Sequence, residues 1–367
     1  MTNPVNCLPL IQSGYQDFTL FFEGDELYQA MLDDIAEAHT SIRLESYIFA
    51  SDEIGWRFAN ALADRAANGV DVRLHLDAAG FLSWGADKLK NWLRNQGIQL
   101  RVFHRWRWSD PWRYNQRNHR KLLVVDNNNV YLGGFNIHRE SSRQSYGNTR
   151  WRDSHLRLSG TTAVLAGILF DDFWNGKRRQ LAIEEHAVNI LIPNFNRSCK
   201  QVLKCLYTDS FNNAQQSLYL TTPYFVPDHR TQKHLQAAAR RGVDVRLLVP
   251  RKNDQRLVQW ASRAAYAKLL DAGVRVYEYL PRMLHAKTAV VDGSWATLGT
   301  ANLDYRSLFV NYEINLATRD FALCKQLDTQ FSIDLNESVE ICTHQWAKRH
   351  WSAQLAELIG WLARRWL

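Results

Sequence analysis

His119 and Lys121 stand two residues apart, and so do His285 and Lys287. On a strand, side chains two apart share a face, so each imidazole is set beside an ammonium. That pairing suits phosphoryl chemistry. The lysine offers a point charge to non-bridging phosphate oxygens. The histidine can attack phosphorus or protonate a departing oxygen. One such pair gives one role. Two pairs brought face to face give both, a nucleophile on one side of a phosphate and an acid on the other, as an in-line displacement requires.

The two pairs sit in a longer repeat. His119–Asn136 returns 166 residues later as His285–Asn302, with no insertion between the copies. Over the twenty positions from His119 to His138 eight are identical: the His, the Lys, two Val, the Asp, a Leu, a Gly and the Asn. A shared core explains repeated Val and Leu, but not a His, a Lys and an Asn in register among them. Val124-Val125 and Val290-Val291 read as short strands. Asp126-Asn127-Asn128-Asn129 and Asp292-Gly293 read as turns, so each copy is a predicted hairpin. Asn136 and Asn302 follow their glycines and can donate amide N–H bonds to phosphate oxygens. Asp126 and Asp292 complete the motif and are carried with its catalytic set. Their odd spacing from the histidines turns them to another face or into the turn.

The elements that must position these residues repeat as well. In the first half the pattern predicts a strand at Phe18–Phe22, a helix at Glu26–His39 and a strand at Ser41–Ala50. A helix at Ile54–Asn68, a strand at Val70–Leu76, a helix at Leu89–Asn95 and a strand at Gly97–Phe103 follow. In the second half Ser217–Val226, Arg230–Arg241, Gly242–Leu247, Val258–Ala272 and Gly273–Tyr279 repeat that alternation, with Tyr224-Phe225-Val226 placed like Tyr47-Ile48-Phe49. Strand and helix alternating in this way predict an α/β sheet in each half. The chain is therefore read as a tandem duplication of two α/β lobes, 1–195 and 196–335, sharing one pseudo-symmetric active site. Residues 336–367 have no counterpart and form an amphipathic tail.

The duplicated H-x-K-x(4)-D with its following G-x(2)-N resembles the signature of the phospholipase D superfamily, over nearly the whole chain from about Phe18 to Leu335. The resemblance implies a metal-independent phosphodiester reaction through a phosphohistidine, with no cofactor and with His119 as nucleophile. It also implies that an acidic residue later in each half orients the imidazole, a place that Asp153 and Glu313 fit. Within the superfamily, Thr222-Pro223-Tyr224-Phe225-Val226-Pro227, Leu298–Ser307 and Asn311-Tyr312-Glu313 resemble bacterial cardiolipin synthases, of the shorter type without N-terminal membrane helices. Phosphatidyl transfer to phosphatidylglycerol is the implied reaction. A phospholipase or a nuclease using the same two histidines is the alternative, and a silent lipid- or nucleic-acid-binding protein is a further one.

Composition fits a globular chain of 367 residues with 46% hydrophobic and 22% charged residues. The net charge of +8 favours an anionic partner. Five cysteines without a C-x-x-C give neither a disulfide framework nor a zinc site. No signal peptide is read at the N-terminus, and no run is as long and apolar as a spanning helix requires. Attachment to an anionic membrane surface therefore falls to two other segments. Trp106, Trp108 and Trp112 interleave with arginines just before the first motif. In the tail, Trp351, Leu355, Leu358, Ile359, Leu362 and Trp366 form a stripe at helical spacing, with Trp361 beside it and Lys348, Arg349, Arg364 and Arg365 flanking. The alternative for the tail is docking on the protein's own core. The expectation is a peripheral protein on the cytoplasmic face of the inner membrane, acting on phospholipid and not on nucleic acid.

Overall fold

The computed structural model describes residues 17–83, 87–104, 106, 108–109, 114–177, 187–194 and 197–364. Trp112, Trp366 and the polar lead before residue 17 lie outside them. The first sheet holds β1 (Phe18–Phe21), β2 (Ser41–Ser46), β3 (Asp71–Asp77), β4 (Gln99–Phe103), β5 (Leu122–Val125), β6 (Asn129–Gly133) and β7 (His155–Ser159), in the order β1-β7-β6-β5-β2-β3-β4. Strands β2, β3 and β4 are parallel and the others antiparallel. Helices Glu53–Ala67 and Asp87–Asn95 make the crossovers. Parallel strands covered by helices are buried on both faces, which is why Ile42, Leu44, Val72, Leu74 and Leu76 are all in the core.

The second half rebuilds this sheet. It holds β8 (Asn189–Pro193), β9 (Ser217–Thr221), the short β10 (Phe225–Val226), β11 (Asp244–Pro250), β12 (Arg275–Tyr279), β13 (Thr288–Val291), β14 (Trp295–Gly299), the short β15 (Leu303–Asp304), β16 (Ile314–Thr318) and β17 (Ser338–Glu340). The sheet order is β17-β12-β11-β9-β13-β14-β16-β8, while β10 pairs with β15 apart from it. Strand β8 pairs antiparallel with β16 as β1 pairs with β7. The second repeat thus begins at least as early as Asn189, ahead of the division expected at residue 195. The two hairpins β5–β6 and β13–β14 are those predicted from the repeat.

The halves meet through one apolar cluster. Leu122, Val124, Leu132 and Leu156 from the first sheet pack in it with Val290, Ala296, Leu298 and Leu316 from the second. Helices Thr161–Trp174 and Phe321–Asn336 contribute Ala166, Leu169, Phe170, Leu323 and Leu327 to the same cluster. Because both hairpins lie in this shared core, the segments leading into them are held against each other.

The tail is part of the second half. Strand β17 pairs antiparallel with β12, and Trp346 is buried against Tyr266. Helix Trp351–Ala363 then packs on helix Arg256–Leu270. Its docked face is not the expected stripe. Gly360 is the point of closest approach: a Cβ there would lie 2.4 Å from the Ala261 amide nitrogen. Glu357, buried beside it, accepts from Arg349 at 2.7 Å. Trp351 and Leu362 remain 68% exposed, and Leu355, Leu358 and Ile359 about half exposed. The helix thus docks on the protein and leaves its apolar stripe turned outward.

Candidate active site

Each histidine is aligned by a strand from the other half. The residues before β5 run parallel to those before β16, with His119 N–H donating to Tyr312 O (2.9 Å) and Tyr312 N–H to Arg117 O (2.8 Å). The residues before β13 run parallel to those before β7 in the same way, with Arg152 N–H donating to Met283 O (2.8 Å) and His285 N–H to Arg152 O (2.7 Å). These paired segments carry the acids across. Glu313 lies with Oε2 2.9 Å and Oε1 3.0 Å from His119 Nδ1. Asp153 Oδ2 lies 2.6 Å from His285 Nδ1. So the acidic partners fit the expected places, but each serves the histidine of the opposite half. A carboxylate accepting the Nδ1–H leaves Nε2 with its lone pair free.

Glycine makes one of these contacts possible. A Cβ on Gly134 would stand 2.0 Å from Asp153 Oδ1. The repeat has Thr300 there, whose N–H donates to Ile314 O at 3.0 Å and whose Oγ1 accepts from Ile314 N–H at 2.9 Å.

Both imidazoles face one cavity of about 800 Å³ between the halves. Tyr47 stands edge-on to His119 at 5.1 Å, and Trp151 lies 5.0 Å from His285. Beneath them the two lysines are buried. Lys121 Nζ donates to the carbonyl of His119 at 2.8 Å. Lys287 Nζ donates to the carbonyl of His285 and lies 2.9 Å from its Nδ1. Burial pushes Lys121 down to about 7 and Lys287 to about 8, against the pull of Glu313 and Asp153, and the Lys287 charge lowers Lys121 further. Burial also lowers both histidines, His285 to about 3 with Lys287 adding to the effect. The unliganded imidazoles are therefore neutral near pH 7.

This charge set is short of one proton for its chemistry, and an anion supplies the reason to take it up. Even with both lysines protonated, two ammoniums and two carboxylates sum to zero. A phosphodiester monoanion entering between them raises the pKa of the lysines and of a histidine together. The arrangement can then hold one imidazole neutral, as a nucleophile, and one protonated, as an acid.

The other expected residues divide. Asn136 lines the cavity; its Oδ1 accepts from the Ile48 N–H at 3.1 Å, which leaves its amide N–H groups for the pocket. Asn302 lines it too, with its side chain hydrogen-bonded to Asp304 and its Oδ1 buried without a partner. Asp126 and Asp292 do not line it. They sit in the hairpin turns at φ 52° and 50°. Asp126 accepts from the amides of His39, Thr40 and Ser41 (2.7–2.8 Å), and Asp292 from those of Gln215, Gln216 and Ser217 (2.8–2.9 Å). Their place in the catalytic set is corrected: each clamps the entry to β2 or β9. Tyr47, Tyr224, Arg117, Asp254 and Arg306 also line the cavity and were not singled out in the sequence. For the tyrosines a signal existed, since they occupy matching places in the two halves.

Comparison with known proteins gives the same assignment. Residues 31–156 and 207–335 match the family described as cardiolipin synthase, PLD-like domain. Cardiolipin synthase of Clostridium perfringens (strain SM101) is 32% identical over 94% of this chain and 75% of its own. Cardiolipin synthase 2 of Bacillus anthracis is 35% identical over 91% and 67%. Among solved structures, phosphatidylserine synthase of Haemophilus influenzae shares the fold, with a TM-score of 0.73 at 14% identity over 95% of this chain and 92% of that one. The chain belongs to the cardiolipin synthase family of phospholipase D-like proteins.

Proposed function

We propose that this cardiolipin synthase family member is a phosphatidyltransferase that joins a phosphatidyl group to a hydroxyl of phosphatidylglycerol. The observation that carries the reading is the crossed pair of acid-held histidines facing one cavity. His119 Nε2 forms a bond to the donor's phosphorus as the P–O bond to the head-group alcohol breaks. His285, as imidazolium, gives its proton to that oxygen. The neutral His285 then takes the proton of the incoming hydroxyl. That oxygen bonds to phosphorus as the N–P bond breaks, releasing product and free His119. Lys121 and Lys287 neutralise the non-bridging oxygens, with Asn136 donating from the side. With phosphatidylglycerol as donor, the products are cardiolipin and glycerol.

The test is direct. Purified protein given phosphatidylglycerol vesicles should form cardiolipin and glycerol, read by mass spectrometry, and added glycerol should drive the reaction backwards. DNA and RNA should stay intact under the same conditions. Cleavage of nucleic acid that depends on His119, with every phospholipid untouched, would replace this reading with a nuclease.

The substrate lies in a bilayer, and the protein's outward apolar residues fit it there. Among the described residues no helix is long and apolar enough to cross a membrane. Helix Trp351–Ala363 instead shows Trp351, Leu355, Leu358, Ile359 and Leu362 to the outside, and Trp106 and Trp108 are 46% and 88% exposed. An excess of eight positive charges complements anionic lipid. These features support peripheral attachment, which we place at the cytoplasmic face of the inner membrane as part of this proposal. The combined change Trp351→Ala, Leu355→Ser and Leu362→Ser alters side chains that are about half exposed or more, so the fold should hold. Binding to phosphatidylglycerol vesicles should weaken roughly 10³-fold or more if all three insert, since each lost insertion is worth about 1.5–3 kcal/mol. Unchanged co-sedimentation would leave this face to some other contact.

A further inference from the structure

The cavity wall is polarised. Near His119 it carries Arg117, paired with Asp77 at 3.2 Å, and Arg306, which holds the Asn115 carbonyl and side chain at 2.7 Å each. Near His285 it carries Tyr224, whose ring lies 6.2 Å from the imidazole. The Tyr224 phenol donates to Asp254, 2.8 Å from Oδ1 and 2.9 Å from Oδ2. Among the described residues Asp254 makes no ion pair. Asn302 is only 4% exposed, and its Oδ1 accepts from nothing.

Two acceptors thus face the cavity, the exposed Asp254 carboxylate at its rim and the buried Asn302 carbonyl, and the second has no donor. Leaving the buried Asn302 carbonyl unmade is costly, so a ligand that brings a donor to it is favoured there, with the solvent-facing Asp254 carboxylate as a second acceptor at the rim. A phosphate brings only acceptors and negative charge, and this wall repels it. A polyol brings hydroxyl donors. The glycerol of a phosphatidylglycerol head group has two hydroxyls free after its phosphoester bond.

We infer that Tyr224, Asp254 and Asn302 form a polyol subsite beside His285. Asp254, oriented by the Tyr224 phenol, and the Asn302 carbonyl accept from the free hydroxyls of a glyceryl group. They hold it first as leaving alcohol and then as incoming acceptor. The arginine-bearing wall takes the anionic remainder of the lipid. This rests on the phosphatidyltransferase reading and adds to it the residues that choose the alcohol. It also explains why the alcohol should depart on the His285 side, in line with His119 as nucleophile.

The experiment is a competition within one vial. Full-length protein receives phosphatidylglycerol vesicles with equal concentrations of deuterated glycerol and ethanol. The ratio of labelled phosphatidylglycerol to phosphatidylethanol is read by mass spectrometry. A ratio is insensitive to how much enzyme is folded. Wild type should favour glycerol, and Asp254→Ala should lower the ratio about tenfold, as loss of one charge-assisted hydrogen bond predicts. Tyr224→Phe should lower it less, because the carboxylate remains. An unchanged ratio in Asp254→Ala, with both products falling together, would overturn the subsite. So would an Asp254-dependent preference for ethanolamine over glycerol, which would make this wall a cation site. No phosphatidyl alcohol from wild type at all would overturn the transferase reading and the subsite together.

Discussion

Replacing either His119 or His285 with alanine is expected to abolish cardiolipin formation, with losses of roughly 10⁴-fold or more in kcat, as for catalytic groups that act as a unit. Both imidazoles face the cavity and each is held by a carboxylate, so neither can be spared from one displacement. The double variant should be no worse than the worse single one. Rapid-quench trapping with a phosphatidyl donor labelled in its phosphate should leave label on the peptide containing His119. Label on the His285 peptide would reverse the two roles. Label on no histidine, in a protein that still turns over, would remove the covalent mechanism.

Much of this site is legible in the sequence because a duplication writes it twice. The repeated His, Lys and Asn stand out against core residues, and the alternation of strand and helix is set by local periodicity. Asp153 and Glu313 could be found by resemblance, but not which imidazole each one serves. That crossing depends on the bridges Asn118 to Tyr312 and Arg152 to Leu284, which pair segments well over a hundred residues apart. No local pattern encodes such a contact. Asp126 and Asp292 are carried with the catalytic set because they complete the motif, although their odd spacing already turns them away from the histidines or into the turn. Their repetition reflects a turn, since each collects the same three backbone amides at the entry of the neighbouring strand. The wall residue Asp254 comes from a loop and Arg306 from the short helix Tyr305–Phe309, and no repeated residue marks either of them. In the tail, the helical period was readable and the docked face was not. A small residue, Gly360, let two backbones come together, and close approach outweighed the wider apolar stripe in choosing the face.

The crossing itself carries the second large effect. Asp153→Asn is expected to cost roughly 10³- to 10⁴-fold in cardiolipin synthesis, because an amide presents its N–H₂ to Nδ1 and favours the wrong tautomer. Glu313→Gln should cost about as much by the same argument. Both side chains are buried beside a lysine, so thermal unfolding of each variant must be measured with its activity. The two variants separate once the donor's leaving group needs no proton. With a phosphatidyl p-nitrophenol donor, departure no longer calls on the acid. If Asp153 serves His285 as the structure has it, Asp153→Asn should regain the first-step burst of p-nitrophenol, since His119 and Glu313 are untouched. Glu313→Gln should not, because its loss falls on the nucleophile. A burst regained by Glu313→Gln and not by Asp153→Asn would mean that His285 attacks. A burst regained by both would mean that the carboxylates do not set the tautomers, and that their buried charge serves only to balance Lys121 and Lys287.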